Sequence, residues 1–197
     1  LVHVLFEPKT FYQDSLTYDI TAWSIPYVYG LEAYAIDSPI QIKPIKIKKK
    51  SKVIHNWDDS PYAYINPWVG ANDLKFLSGV LKNNIITRVS EHPFEIEGKS
   101  FNRGSLIITR KSNEHMGDKF DEIVRDFAKR HNTNLVSVKT GLVSKGKDFG
   151  SSSMRIVKKP HVVLLSGEGT RSNSHGEIWH FFEQQIDYPI SIFDVSM

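Results

Sequence analysis

Apolar and polar positions change period several times along this chain, and each change marks an element. Between His161 and Val195 an unbroken apolar run, Val162-Val163-Leu164-Leu165, is followed by a glycine-bearing turn, a stretch with helical periodicity, and a second apolar run ending at Val195. A run without alternation predicts a strand covered on both faces. Gly167 and Gly169 release the chain from it. Ser172, Asn173 and Ser174 offer caps to the next helix, and Glu177 stands at the capping-box distance from Ser174. Ile178, Phe181, Phe182 and Gln185 are expected on the inner face of that helix, and Pro189 marks the return to extended chain. The stretch predicts one βαβ unit whose two strands pair in parallel.

The same theme runs upstream. Tyr62–Ile65 predicts a short strand, 71–82 a helix with Leu74, Leu77, Val80 and Leu81 at helical spacing, and Ile85–Val89 a strand. The phrase HPFEIEGKSFNRGSLIITR predicts two extended segments joined through Gly98, with Ser105–Thr109 the apolar strand. Asp118–His131 predicts an amphipathic helix with Phe120, Ile123, Val124 and Phe127 inward, and Leu135–Val138 a further strand. Residues 139–157, rich in Gly, Ser and Lys, predict a loop. Strands alternating with helices imply an α/β fold, an open and mainly parallel sheet with flanking helices.

The N-terminal part has a different texture. Residues 10–36 are aromatic-rich, and Asp19 or Thr21 is placed to cap a short helix through Trp23, ended by Pro26 and Gly30. Residues 40–52 alternate Ile with polar or basic residues before turning wholly basic. With Pro44 inside, this predicts an edge strand or extended basic connector. The expected division is a connector over 1–57, an α/β subdomain over 58–157, and the first βαβ unit of another domain over 158–197. The abrupt start at Leu1 and the stop soon after an apolar strand predict more protein on both sides.

Composition narrows the possible partners. A chain of 197 residues with 40% hydrophobic content is long enough to bury a core. A net charge of +3 is mild, and no long basic stripe is present, so nucleic acid is not expected as a partner. No apolar run reaches the roughly 18 residues of a membrane span, so no membrane partner is expected. With no cysteine, these residues carry neither a disulfide nor a thiolate nucleophile.

Several long phrases in order resemble one family. FYQDSLTYDITAWSIPYVYGLEAYAI is similar to the segment that follows the catalytic domain in large secreted bacterial zinc carboxypeptidases of the carboxypeptidase-A-like class. FEIEGKSFNRGSLIIT, TGLVSKGKDFGSSSMR and VVLLSGEGTRSNSHGEIWHFFEQQIDYPISIFDVS resemble the region beyond it. There the last phrase opens a class I glutamine amidotransferase-like domain of flavodoxin-type topology. The resemblance implies a non-catalytic accessory region, with zinc held by a parent peptidase domain preceding Leu1. It also implies a secreted or periplasmic location. The implied partners are that peptidase domain and, through it, peptide substrate.

The candidate chemistry is weighed against that background. A carboxypeptidase zinc site needs His-x-x-Glu and a distant His. The literal match, His92-Pro93-Phe94-Glu95, has a proline between the ligands and no marked third ligand, so neither a metal site nor a catalytic set is assigned. Ser174, His175 and Glu177 carry triad side-chain types but sit on one helical turn, where they do not aim at one another. His175, Glu177 and His180 spread around a helix rather than sharing a face. Asp58-Asp59 and Asp118, Asp121 and Glu122 suit turns and a helix start. A triad assembled from distant segments stays open, because triads are spatial. The one candidate ligand site is the turn before the last helix: Gly167, Glu168, Gly169, Ser172 and Ser174 stand where backbone amides and the helix dipole attract an anion or small ligand. Glu168 opposes phosphate there.

Overall fold

The computed structural model describes residues 53–195 throughout, with positions 26, 29, 31–34, 36, 38 and 41. The expectations for the Trp23 helix and, apart from position 41, the 40–52 connector lie outside the described residues. Residues 53–68 and 72–197 form one compact unit, and 1–52 with 69–71 another.

In the larger unit the elements are β1 (Ala63–Asn66), α1 (Ala71–Lys82), β2 (Arg88–Ser90), β3 (Phe94–Ile96), β4 (Lys99–Phe101) and β5 (Leu106–Thr109). They continue with a 3₁₀ turn (Lys111–Met116), α2 (Lys119–Arg130), β6 (Val136–Val138) and β7 (Met154–Ile156). The chain closes with β8 (Val163–Ser166), α3 (Ser172–Trp179), a π turn (His180–Gln185) and β9 (Ser191–Asp194).

Five strands make one sheet in the order β6-β1-β5-β2-β7, and every pairing in it is antiparallel. The parallel arrangement expected for 58–157 is therefore corrected. In chain order, β1-α1-β2 and β5-α2-β6 are two interleaved split βαβ units, the ferredoxin-like connectivity. β5 lies between β1 and β2, so those two strands do not touch. The β3–β4 hairpin is inserted between β2 and β5, and β7 adds an edge.

The register sorts the side chains into two cores. Tyr64 and Ile108 are cross-strand partners facing the helices. They pack with Leu106 against Phe76 and Val80 of α1 and Phe120, Val124 and Ala128 of α2. Ala63, Ile65, Ile107, Val138 and Met154 face the other way, onto Phe94, Ile96 and Phe101 of the hairpin and Phe149 of the following loop. β1 and β5 are thus buried at all four positions. Fully burying a side chain such as Phe120 contributes about 1.5–3 kcal/mol.

The helices form where the pattern predicts. In α2, Phe120, Val124 and Ala128 recur every fourth residue and are buried, with Asp121 and Glu122 in the first turn and Lys129 and Arg130 in the last, complementing the dipole. Ile123 and Phe127, both expected inward, are only partly buried at its flanks. The predicted 139–157 loop is corrected in part: Phe149 enters the core and Met154–Ile156 pairs antiparallel with β2.

The last unit rests on the back of α1. Leu81 is buried with Ile186 and Tyr188, and Leu74, Leu77, Val157, Val162 and Phe182 surround them. Lys82 Nζ reaches the Asp187 carboxylate at 2.6 Å and its carbonyl at 2.8 Å, and the Tyr188 hydroxyl donates to the Pro160 carbonyl at 2.7 Å. β8 and β9 pair in parallel, Leu164 opposite Ile192 and Leu165 opposite Phe193, which is the pairing their sequence predicts.

Two details of that unit differ from expectation. β8 is not covered on both faces: Leu164 is buried, whereas Val163 and Leu165 are more than half exposed. In the helix, Phe182 packs inward, while Ile178 and Phe181 are exposed. Ile178 and Phe181 share one face, three residues apart, and that face is turned to solvent; the π turn begins only at His180, after Ile178.

Candidate functional site

The turn after β8 stands at the carboxyl ends of two parallel strands and before a helix, where open α/β sheets place ligands. Gly167 has φ +99° and Gly169 φ +85°, both left-handed, so the chain reverses within four residues. Thr170 closes the turn, its amide and hydroxyl donating to the Gly167 carbonyl at 3.1 and 2.7 Å. The Asp194 carboxylate, at the end of β9, lies over Gly167: a Cβ there would stand 2.5 Å from Asp194 Oδ1. Gly167 is thus the floor under a carboxylate as well as a turn residue.

Gly167, Glu168, Gly169, Ser172 and Ser174 are all exposed and cluster within this turn and the first turn of α3. The expected capping box does not form. Arg171 is the N-cap, in extended conformation, and no side chain caps the helix, which leaves Ser172 and Ser174 inside it. The amides of a helix's first turn have no intrahelical acceptor. Glu168 belongs to the same turn and the Asp194 carboxylate lies over Gly167, so the turn carries negative charge that opposes phosphate.

The other candidates are dispersed. His175 Nε2 is buried without a hydrogen-bond partner, and Ser174 and Glu177 are exposed, so no nucleophile-base pair is assembled through that nitrogen. His92 is exposed before β3, and Glu95 turns to Lys145 Nζ at 3.5 Å while its backbone bridges to the 144–145 loop. Among the described residues, no group of three His, Cys, Asp or Glu side chains stands close enough to hold a metal ion.

Two polar clusters escape sequence reasoning because their members lie far apart in the chain. The Tyr64 hydroxyl donates to Asp121 Oδ1 at 2.5 Å and accepts from Arg125 Nε at 2.6 Å. Arg110 holds both oxygens of Asp121 at 2.8 Å, and Arg125 also donates to the Asp58 carbonyl. Burial first, and then the Asp121 hydrogen bond, push the Tyr64 phenol well above its ordinary range, so it stays a donor. Trp57 lies beneath Arg125 and Lys129, at 5.6 Å from each cation, with His55 stacked on it at 4.3 Å. The second cluster is fully buried: Asn66 Nδ2 donates to Asp73 at 2.7 Å, Thr133 at 3.0 Å and the Asn134 carbonyl at 2.9 Å, and Thr133 donates to Asp73. Both clusters clamp helices to the sheet. Asp121 reads as a dipole partner at a helix start in sequence, and nothing in the spacing of Asp121 or Asp73 signals Arg110 or Asn66.

The remaining candidate is a surface. Paired strand residues share a face, so Val163, Leu165 and Phe193 stand on one side of the β8–β9 pair, with Val195 following. Their relative exposures are 57%, 56%, 57% and 44%. Parallel sheets are ordinarily covered on both faces.

No protein-family model, no curated protein sequence and no solved structure matches the chain. No helix among the described residues is long and apolar enough to cross a membrane.

Proposed function

We propose that this chain is a non-catalytic accessory or scaffold portion of a zinc-dependent carboxypeptidase, with β8-α3-β9 as the first unit of an open, mainly parallel, amidotransferase-like sheet. The observation that carries the reading is the in-register parallel pair β8–β9 joined through α3, with β9 exposed at all four positions. Parallel strands ordinarily lie in sheets covered on both faces, and the exposure of this pair supports reading it as part of a larger sheet. The ordered sequence phrases supply the family, and with it a secreted or periplasmic setting, a peptidase domain as partner and peptide as that domain's substrate. In this reading zinc belongs to the peptidase domain, and the antiparallel unit positions it or its substrate.

The test is direct. The purified chain, incubated with zinc and then desalted, is assayed for bound metal and for release of C-terminal residues from peptides. Neither is expected, and tight stoichiometric zinc together with hydrolysis would end this reading.

A second reading, a small-ligand or anion site at Gly167, Glu168, Gly169, Ser172 and Ser174, is favoured by the position of the turn at the carboxyl ends of parallel strands. The adjacent carboxylates favour a ligand presenting a cationic or hydrogen-bond-donating group. Chemical-shift changes confined to these amides on titration with phosphate would instead establish the anion site.

A further inference from the structure

We infer that β8-α3-β9 is a conditional element: residues 158–195 hold their fold only while seated on the back of α1, and losing that seat unfolds them without unfolding the five-stranded sheet. The inference needs neither of the functional readings above.

Burial argues first. Over residues 158–195 only Leu164, Ile186 and Tyr188 are buried, and Ile186 and Tyr188 are buried together with Leu81 of α1. Leu74 and Leu81, two turns apart, lie on that side of α1, beside the stripe of Phe76 and Val80 that faces the sheet. Away from α1 the unit would keep Leu164 as its own buried side chain. α3 has eight residues and buries none of them. A helix that short is marginal alone, and a two-stranded sheet needs a helix packed firmly on it. Too little burial then remains to offset the conformational entropy of ordering the unit.

The polar contacts converge on the same place, the end of α1. Lys82 Nζ holds the carboxylate and the carbonyl of Asp187, and the Ser78 hydroxyl donates to that carbonyl at 3.3 Å. Asp187 has φ +51°, a left-handed backbone that these bonds keep in place. Lys159 Nζ donates to Asn84 Oδ1 at 3.1 Å and to the Lys82 carbonyl at 3.4 Å. The Tyr188 hydroxyl, donating to the Pro160 carbonyl, ties the approach to β9 to the approach to β8. Lys82 and Asp187 are 29% and 83% exposed, so water screens their charges and the apolar contact with Leu81 carries most of the seat. The seat grips the amino ends of the two strands, whereas Gly167 and Gly169 lie beyond the carboxyl end of β8. The shape of that turn is therefore controlled from α1.

Amide NMR spectra of the whole chain test the inference. Ile186→Asp places a charge in the seat from the side of the unit and leaves α1 itself unaltered. It is expected to move the amides of 163–194, Gly167 and Gly169 included, to the positions of a disordered chain, while Ile65, Ile107 and Ile108 keep their dispersed ones. Leu81→Asp should do the same from the side of α1. Lys82→Met keeps the stem of the side chain and should leave the unit seated, with hydrogen exchange at Leu165 and Phe193 a few-fold faster. Ile96→Val, in the core on the hairpin side, is expected to speed exchange at Ile65 by about tenfold or less and to leave Leu165 and Phe193 unchanged, because those two exchange through loss of the seat. Unit amides that stay dispersed in Ile186→Asp would show that the unit holds its own fold, and the inference would be overturned. Loss of dispersion along the whole chain in that variant, or equal acceleration of both sheets by Ile96→Val, would overturn it as well, since the chain would then unfold as one body.

Discussion

Asp121 shows how much one side chain can hold. It receives two hydrogen bonds from Arg110 and one from Tyr64, and Arg125 Nη2 stands 3.9 Å away. Asp121 and both arginines are about a quarter exposed, so water screens the ion pairs only in part. Asp121→Asn keeps the shape but leaves two half-buried guanidinium groups short of an anion, and is expected to destabilise by about 2–3 kcal/mol. Tyr64→Phe removes a neutral donor and should cost about 1 kcal/mol less; urea denaturation of both variants checks the order. Histidines set the acid response. Burial, then Lys129, lowers the pKa of His55; burial, then Lys75 and Arg130, lowers that of His131 against the opposing pull of Asp187 and Asp126. Both therefore bind protons less readily in the folded chain than at the ordinary value of 6.5. The unfolded chain takes up more protons just below that value, so stability is fully present above it and falls as the pH drops. Urea midpoints measured from about pH 7.5 to pH 5 should decline, and His131→Gln should flatten the slope. Asp58 is held below the usual carboxylate range by Ser137 and then Lys139, and its contribution is lost only at still lower pH.

At the scale of elements, the two helices meet over a missing side chain. Gly79 lies in the middle of α1, where glycine ordinarily costs about 1 kcal/mol relative to alanine. A Cβ at that position would run into the face of the Phe127 ring on α2. Propensity therefore favours Gly79→Ala while packing opposes it, and the ring, stacked on His131 at 6.2 Å with Arg130 over it, has little room to swing. Overpacking of this kind costs about 1–3 kcal/mol, so a net loss of stability is expected. Phe127→Leu combined with Gly79→Ala should recover most of it, a non-additivity that a double-mutant cycle in urea reads directly. Elements of this kind were legible in the sequence, and their partners were not. Ala71–Lys82 and Lys119–Arg130 fall where their periodicity puts them. The apolar run Leu106–Thr109 announces a doubly covered strand, but helices on one face with a hairpin on the other cover a strand as fully as two helix layers do. Apolar continuity signals cover, and it does not distinguish parallel from antiparallel neighbours. β7 was hidden for the opposite reason: of its three residues only Met154 is buried, too little to show a period within a polar stretch.

The molecule as a whole divides its stability unevenly between its five-stranded sheet and the β8–β9 pair. The five-stranded sheet has a packed layer on each side, and its central strands β1 and β5 are buried throughout. In the β8–β9 pair only Leu164 is buried, and the unit is held to α1 through Leu81, Ile186, Tyr188 and the Lys82–Asp187 contact. Its bare strands were expected to be covered because their sequence is that of covered strands, so the conflict lies between the local sequence and the surroundings rather than in the turn that first drew attention. The turn follows from that geometry: Gly167 yields to the Asp194 carboxylate, and Ala at this position combines a collision with a positive φ, costing more than about 1 kcal/mol. A two-stranded sheet with one buried residue, open at both edges among the described residues, opens locally more often than one packed on both sides. Native-state hydrogen exchange should therefore protect the amides of Ile65 and Ile107 up to the global unfolding free energy and those of Leu165 and Phe193 several kcal/mol less. Equal protection of the two sheets would mean that the β8–β9 pair is stable despite its exposure, and the reading of it as part of a larger sheet would lose its support.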